Sequence, residues 1–328
     1  MSVDNPEISL IIPACNAEPY LEKCLDSVIR QSFFGWELII VDDGSSDRTG
    51  EVAERYAAAD SRIKVIHTSR QGVSAARNAG IDAAVGVFLA FADADDHLKP
   101  DYLKELLEHA KQNNADITQC SFVFEDEEGN TTPDPDRTEA VFRDRDEIMN
   151  AYFRGTSGDI RVSVWAKLFR REAFAGICFD PELRIYEDAY YVFKCCRKAE
   201  TVCCFNAPLY SYVQHAGSAV HSDLPEKYND FFTMFERQKE EFKKDSSVRK
   251  RIARREAETA LWLMRIMMSH GKEKELWMLR KKALGITGDV IFSSAPVMIK
   301  LKLTGVALLP HLYFSMLRRK VSSRDEKV

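Results

Sequence analysis

The run VFLAFADADD, Val87 to Asp96, decides how the chain is read. Val87 to Phe91 is an unbroken apolar stretch, of the length and continuity of a strand covered on both faces. Three carboxylates, Asp93, Asp95 and Asp96, leave its end. Like charges this close repel unless a cation or a set of donors holds them, so a partner from outside this peptide is expected.

Working back from this run, strand and helix signals alternate. Ile8 to Ile12 and Glu37 to Val41 are apolar strands, and Ile63 to His67 is a third. Between the first two, Leu21, Cys24, Leu25, Val28 and Ile29 recur at the spacing of one helical stripe. A second helix is expected over about 47–59, and a third carries Val73, Ala76, Ala79 and Ala83. Forward of the run, Pro100 suits the first turn of a helix lined by Leu103, Leu106, Leu107 and Ala110. Such alternation implies an α/β, Rossmann-like, mostly parallel sheet flanked by helices. Ligands bind such sheets at the carboxyl ends of the strands. The loops to watch are therefore Pro13 to Glu18, Asp42 to Ser46, Thr68 to Gly72 and Asp93 to His97.

Farther on, Ala115 to Glu125 reads as a strand, followed over Asp126 to Arg137 by an acidic, turn-rich surface hairpin or loop. Ile185 to Lys198 reads as a helix, and Val202 to Phe205 and Leu209 to Val213 as strands. From about Pro225 the texture turns to long helical patterns dense in Lys, Arg and Glu. Two regions are expected, 1–222 with the sheet and 223–328 as a helical C-terminal extension.

Composition narrows the function classes. With 328 residues, 45% hydrophobic and 30% charged, the chain has ample material for a core. A net charge of −5 argues against general nucleic-acid binding. The first residues carry acids and no apolar core of the secretory kind, so a cytoplasmic location with reduced thiols is expected. Cys195-Cys196 and Cys203-Cys204 lack the C-x2-C spacing of a zinc site and read as small buried hydrophobes.

The acids group into two clusters at one predicted sheet edge, Asp42-Asp43 and Asp93-Ala94-Asp95. A hard divalent cation, Mn2+ or Mg2+, is the natural partner of the second, and such ions complete their shell with water and substrate phosphates. No G-x-G-x-x-G follows the first strand and no G-x-x-x-x-G-K-[ST] occurs in the chain. Diphosphate charge would then be met by metal rather than by a glycine-rich cradle.

With these residues in view, the chain resembles the inverting, family 2 glycosyltransferases of GT-A fold, of the kind that build bacterial polysaccharides and surface glycans. The resemblance rests on "ISLIIPACNAE" (8–18), "VDDGSSD" (41–47), "GVSAARNAG" (72–80), "FADADD" followed by Pro100, and "YEDAYYVF" (186–193), in that order, and it extends to about Ser218. It implies a nucleotide-sugar donor, with uridine as the expected nucleoside. On that resemblance Pro13, Ala14, Asn16 and Glu18 form the loop beneath the base, Asp43 reads the pyrimidine ring and Asp93 faces the ribose. Gly72, Arg77 and Asn78 belong to the family's third loop and helix, with Arg77 equally readable as a buttress for the acidic loops. Asp93, Ala94 and Asp95 form the family's D-x-D triplet, with Asp95 the principal metal ligand and Asp93 beside it. Some relatives add a histidine after the last core strand; His215 and His221 both qualify, and His221 is taken as the ligand. Asp188 is implied as the general base, although a helix N-terminal acid also suits the helix dipole. Glu187, Trp165 and Lys167 are expected on the acceptor side, where the aromatic would stack on a sugar face or else be core. Cys15 stands where many relatives carry an aromatic residue.

The tail, PVMIKLKLTGVALLPHLYFSMLRRK (296–320), is apolar, interrupted by Pro310, and too short to span a bilayer. Its only full charges are Lys300, Lys302, Arg318, Arg319 and Lys320. Two readings stand open: peripheral association with an anionic membrane surface, useful for a lipid-linked acceptor, or a helix packed on the protein itself or on a second copy in a homo-oligomer. Two other functions also remain, a sugar-1-phosphate nucleotidyltransferase and a non-catalytic nucleotide-sugar-binding protein. The first usually has an early basic glycine-rich loop that Pro13 to Glu18 does not provide, and the intact Asp95 and Asp188 speak against the second.

Overall fold

The apolar runs become a mixed sheet in which the longest pairings are parallel. In the computed structural model, residues 5–135, 139–154, 159–215, 228–291 and 295–316 are described. The chain divides into two units, residues 1–218 and 219–328. The boundary expected at 222/223 lies outside the described residues.

In the first unit, β1 (Ile8–Ala14) pairs in parallel with β2 (Trp36–Asp43) on one side and β4 (Phe88–Phe91) on the other. β3 (Ile63–Thr68) extends the sheet beyond β2. On the other flank, β9 (Lys167–Arg170) runs antiparallel between β4 and β6 (Ile117–Glu125). β10 (Val202–Val213) returns parallel to β6, and β5 (His97–Leu98) pairs with its end. Two short strands complete the sheet, β7 (Thr131–Pro133) on β6 and β8 (Ala140–Phe142) on β10. The two late strands read from the sequence are one strand, with register shifts around Pro208, whose missing N–H cannot serve the ladder.

Helices cover both faces. α1 (Glu18–Ile29), with a proline in its first turn, buries Leu21, Cys24, Leu25 and Val28. These pack with Leu10, Ile12, Leu38 and Ile40, and with Leu103, Leu106 and Leu107 of α4 (Tyr102–Asn113). α2 (Thr49–Ala59) leans on α1 and β3. α3 (Val73–Ala83) packs on β1 and β2. A Cβ at Gly80 would collide with the Ile11 side chain, so that approach depends on glycine. α5 (Arg145–Phe153), begun by the Asp144 side chain capping two amides, rests on α6 (Glu187–Lys198). Among the described residues all eight cysteines are free and six are buried, Cys15 and Cys178 being exposed.

The second unit contains α7 (Asn229–Glu241), α8 (Ser246–Ser269), α9 (Glu273–Ile291) and α10 (Val297–Leu308). Among the described residues no helix is long and apolar enough to cross a membrane.

Candidate functional site

The three acids that leave β4 go to three different partners. Asp93 accepts from the Arg77 guanidinium at 2.9 Å. Asp96, 1% exposed, accepts from the Tyr210 hydroxyl at 2.5 Å and the Val213 amide at 2.8 Å. Burial, with Asp93 and Asp95 beside it, pushes the Asp96 carboxyl well above its ordinary range. This acid braces β10 against the loop. Asp95 keeps a half-exposed carboxylate whose Oδ2 lies 2.8 Å from His215 Nε2. Among the described residues no hydrogen bond reaches its Oδ1.

His215 is therefore the histidine brought to the triplet. It stacks on the Tyr20 ring at 4.4 Å, with Tyr20 Oη 3.3 Å from Nδ1. It follows the end of β10, which β5 ties down directly after the acidic triplet. His221, the residue chosen from the sequence, lies outside the described residues. His215, the other histidine that the sequence offered, is the one described beside Asp95, where the non-local pairing of β5 with β10 brings it.

Arg77 joins two parts of the site. From within α3, 4% exposed, it donates to Asp93 and, at 2.6 Å, to Glu187 in the first turn of α6. Its own burial opposes the charge, but Asp93, Glu187 and Asp188 override this and hold the guanidinium firmly protonated. Asp188 follows Glu187, half-buried, with Oδ1 accepting from the Ala189 amide at 2.6 Å. Loss of water around it, then the neighbouring Glu187 charge, raise its pKa to about 7 against the pull of Arg77. Tyr186, just before the helix, has a left-handed backbone at φ +63°.

The residues expected on the nucleotide side are knit together across loops. Asp43 ends β2, 4% exposed; Oδ1 accepts from Thr68 Oγ1 and the Gln71 amide, and Oδ2 from the Gly72 amide. A carboxylate has about four acceptor positions, so one remains for a ring N–H. Gly72 starts α3 at φ +92°, a conformation that suits glycine. Asn16, at φ +51°, accepts from the Ser46 amide at 2.8 Å, and its own amide donates to Ser45 Oγ. Glu18 is the first residue of α1 and accepts from Arg48 Nε at 2.7 Å.

Several sequence-based assignments shift. Pro13 and Ala14 are the last residues of β1 and not loop, and the Ala14 side chain is in the core. Asn78 spends its amide on the backbone N–H and C=O of Phe179, so it anchors that segment. Ala94 is buried in the core cluster. Lys167 is fully buried, with Nζ donating to the Ser163 carbonyl at 2.7 Å and its pKa driven down to about 8 by burial. It therefore supports the interior beneath the site and does not line an acceptor surface. Trp165 is half-buried, stacked on Tyr210 at 4.9 Å and on Tyr212 at 5.3 Å.

Among the described residues no group of three or more His, Cys, Asp or Glu side chains is arranged to hold a metal. Asp95 offers an open carboxylate oxygen and His215 a ring nitrogen beside it. Two such groups fit a cation that takes its remaining ligands from phosphate oxygens and water.

Comparison with known proteins bears on this arrangement. The family model described as Glycosyl transferase family 2 matches residues 9–177. The uncharacterized glycosyltransferase EpsJ of Bacillus subtilis (strain 168) is 36% identical over 224 residues, covering 68% of this chain and 64% of that protein. The putative glycosyltransferase EpsH of the same organism is 34% identical over 239 residues, covering 71% of this chain and 68% of that protein. The chain thus spans about two thirds of these relatives. Among solved structures, S. aureus TarS 1-349 in complex with UDP-GlcNAc superposes with a TM-score of 0.69 at 18% identity, over 98% of this chain and 92% of that one. At that identity the likeness is one of fold. With the model covering over half of the chain and EpsJ more than 30% identical across two thirds of it, this chain belongs to glycosyl transferase family 2.

Proposed function

We propose that the protein transfers a sugar from a nucleoside-diphosphate donor, uridine-linked, to a hydroxyl of a surface-glycan or lipid-linked acceptor, with inversion at the anomeric carbon. The observation that carries this is the Arg77 guanidinium, bonded at once to Asp93 of the D-x-D triplet and to Glu187 of the acidic pair. That one side chain ties the donor side of the sheet edge to the turn that carries Asp188, the residue suited to deprotonate an acceptor.

Asp188 carries the base role. A carboxylate with a pKa of about 7 is ionised over much of the neutral range and is a far stronger base than an exposed aspartate. It would take the proton of the attacking hydroxyl, and direct displacement by that hydroxyl inverts the sugar carbon. Glu187, held by Arg77, fixes the first turn of α6 and so the position of Asp188. Asp43 keeps Gln71 and Gly72 in place with three of its acceptor positions and offers the fourth to the base.

Mn2+ or Mg2+ would be held by Asp95 and His215, with Asp93 behind them. When bound, such an ion neutralises the charge of a departing diphosphate. The UDP-GlcNAc complex of the structural neighbour supports a uridine donor, and relatives such as the putative teichuronic acid biosynthesis glycosyltransferase TuaG of Bacillus subtilis, 38% identical over 120 residues, support a cell-surface acceptor.

The test is release of free nucleoside diphosphate across a panel of donors, with Mn2+, with Mg2+ and with chelator. Metal-dependent release of UDP, absent from Asp95→Ala, is the expected result. Release of pyrophosphate from nucleoside triphosphate and sugar phosphate would instead identify a nucleotidyltransferase. No turnover with any donor and acceptor, alongside tight donor binding, would identify a binding protein.

A further inference from the structure

We propose that the hairpin of α9 and α10 docks the protein on the surface of an anionic lipid bilayer, lying in the plane of the headgroups. This goes beyond the proposed transfer reaction and does not depend on it.

The two helices form an antiparallel pair: Arg280 of α9 donates to the carbonyls of Val306 and Ala307 at the end of α10, at 3.1 and 2.9 Å, and beyond α10 the chain brings His311 and Phe314 to the Trp277 ring at 5.3 and 5.6 Å. α10 contacts α8 as well as α9, and its Leu303 and Val306 are buried. Its other side is apolar too. Met298, Leu301 and Leu308 recur at helical spacing with Gly305 between them, and they are 59%, 61% and 74% exposed. Leu312 and Met316 continue four residues apart, each more than half exposed. Among the described residues this apolar face of α10, flanked by Lys300 and Lys302, stays largely exposed, and an apolar face with basic flanks belongs in a core or against lipid.

Charge selects the occupant. Between Asp289 and Asp325 the sequence contains no carboxylate side chain, while Lys300, Lys302, Arg318, Arg319, Lys320 and Arg324 fall in that interval. The whole chain, by contrast, carries −5. A second copy meeting this face would bring two carboxylate-free basic segments together. Anionic headgroups match the positive charge of this segment, and the acyl boundary takes the exposed Leu and Met side chains. The helical run is interrupted at Leu309, before Pro310, and carries Lys300 and Lys302, and among the described residues no helix is long and apolar enough to cross a membrane, so the segment is placed on the surface rather than across it.

The test uses the full chain, floated with vesicles of phosphatidylcholine alone and with vesicles containing about 30% phosphatidylglycerol. The protein is expected to rise with the anionic vesicles at low salt, with recovery about tenfold lower on neutral vesicles or near 1 M salt. Leu301→Glu combined with Leu308→Glu should abolish flotation by about tenfold while leaving the melting temperature unchanged, since both side chains are exposed. Lys300→Gln combined with Lys302→Gln should reduce binding to anionic vesicles and leave binding to neutral ones unchanged. Trp277, 42% exposed, should shift its emission to the blue on binding, and Trp277→Phe should remove most of that shift. Equal recovery on both vesicle types, no recovery on either, or unimpaired flotation of the leucine double variant overturns the proposal. So does a stable dimer that the leucine variant splits while vesicles leave the wild-type chain at the bottom of the gradient, because the face then belongs to a second copy.

Discussion

Replacing Asp188 by asparagine tests the base assignment through stability as well as turnover. In the folded protein the carboxyl titrates near pH 7, against an ordinary value of 3.8. Between those values the native state holds a proton that the unfolded chain has released, so stability falls as pH rises through this window and the full penalty is present above about pH 7. At about 1.4 kcal/mol per pH unit, the three-unit shift amounts to about 4 kcal/mol. Asparagine is neutral throughout, fills the same volume and still accepts from the Ala189 amide. Its advantage over aspartate should grow by about 3 kcal/mol between pH 5 and pH 8. For a domain of this size that is roughly 6–12 °C in melting temperature. Turnover should move the other way, falling by about a hundredfold or more, while wild-type kcat/KM rises with pH to a plateau above about 7. The assay is a pair of thermal melts at each pH alongside nucleoside diphosphate release. An asparagine advantage that is flat or shrinking with pH would refute the reasoning about burial, and normal turnover by the variant would refute the base role.

Other outcomes follow from the same geometry. Gly72→Ala places a Cβ at φ +92°, ψ 163°, where no atom obstructs it, so the loss is conformational, about 1–3 kcal/mol in urea unfolding, with weakened donor binding because the Gly72 amide holds Asp43. Gly80→Ala meets Ile11 and should lose about 1–3 kcal/mol, with part regained when Ile11→Val is added. Tyr210→Phe removes the hydroxyl from buried Asp96 and should lower stability by about 1–3 kcal/mol, measured by the same unfolding curve. Lys167→Met should raise stability near pH 7, where a buried ammonium with a pKa of about 8 is disfavoured. That gain should shrink between pH 8 and pH 10.5, since over this range the unfolded lysine alone stays protonated.

Much of the sheet unit was legible because its signals are local. Ile8 to Ile12 and Glu37 to Val41 announce themselves as strands by unbroken apolar character, and Leu21, Cys24, Leu25 and Val28 mark α1 by their spacing. The strands that escaped, β5, β8 and β9, have two to four residues and exist because a neighbour pairs with them. α5 escaped as well, although Asp144 before its first turn is a capping signal. In the site, the acids were visible as residues, but not their partners. That Asp93 would face Arg77, Asp96 would face Tyr210 and Asp95 would face His215 depends on where β10 runs, which no short window of sequence encodes. The burial of Lys167 was equally hidden, since a lysine in an amphipathic stretch reads as surface unless the strand on each side of it is known.

Arg77 lies inside the span matched by the family model, whereas its partner Glu187 lies beyond residue 177, where that match stops. A chimera that grafts the later segment of a relative onto this front half would inherit a buried guanidinium expecting an acid. Unless the graft presents one at the start of α6, the cation is left half-neutralised in the interior, and the splice fails by misfolding before any question of acceptor preference arises.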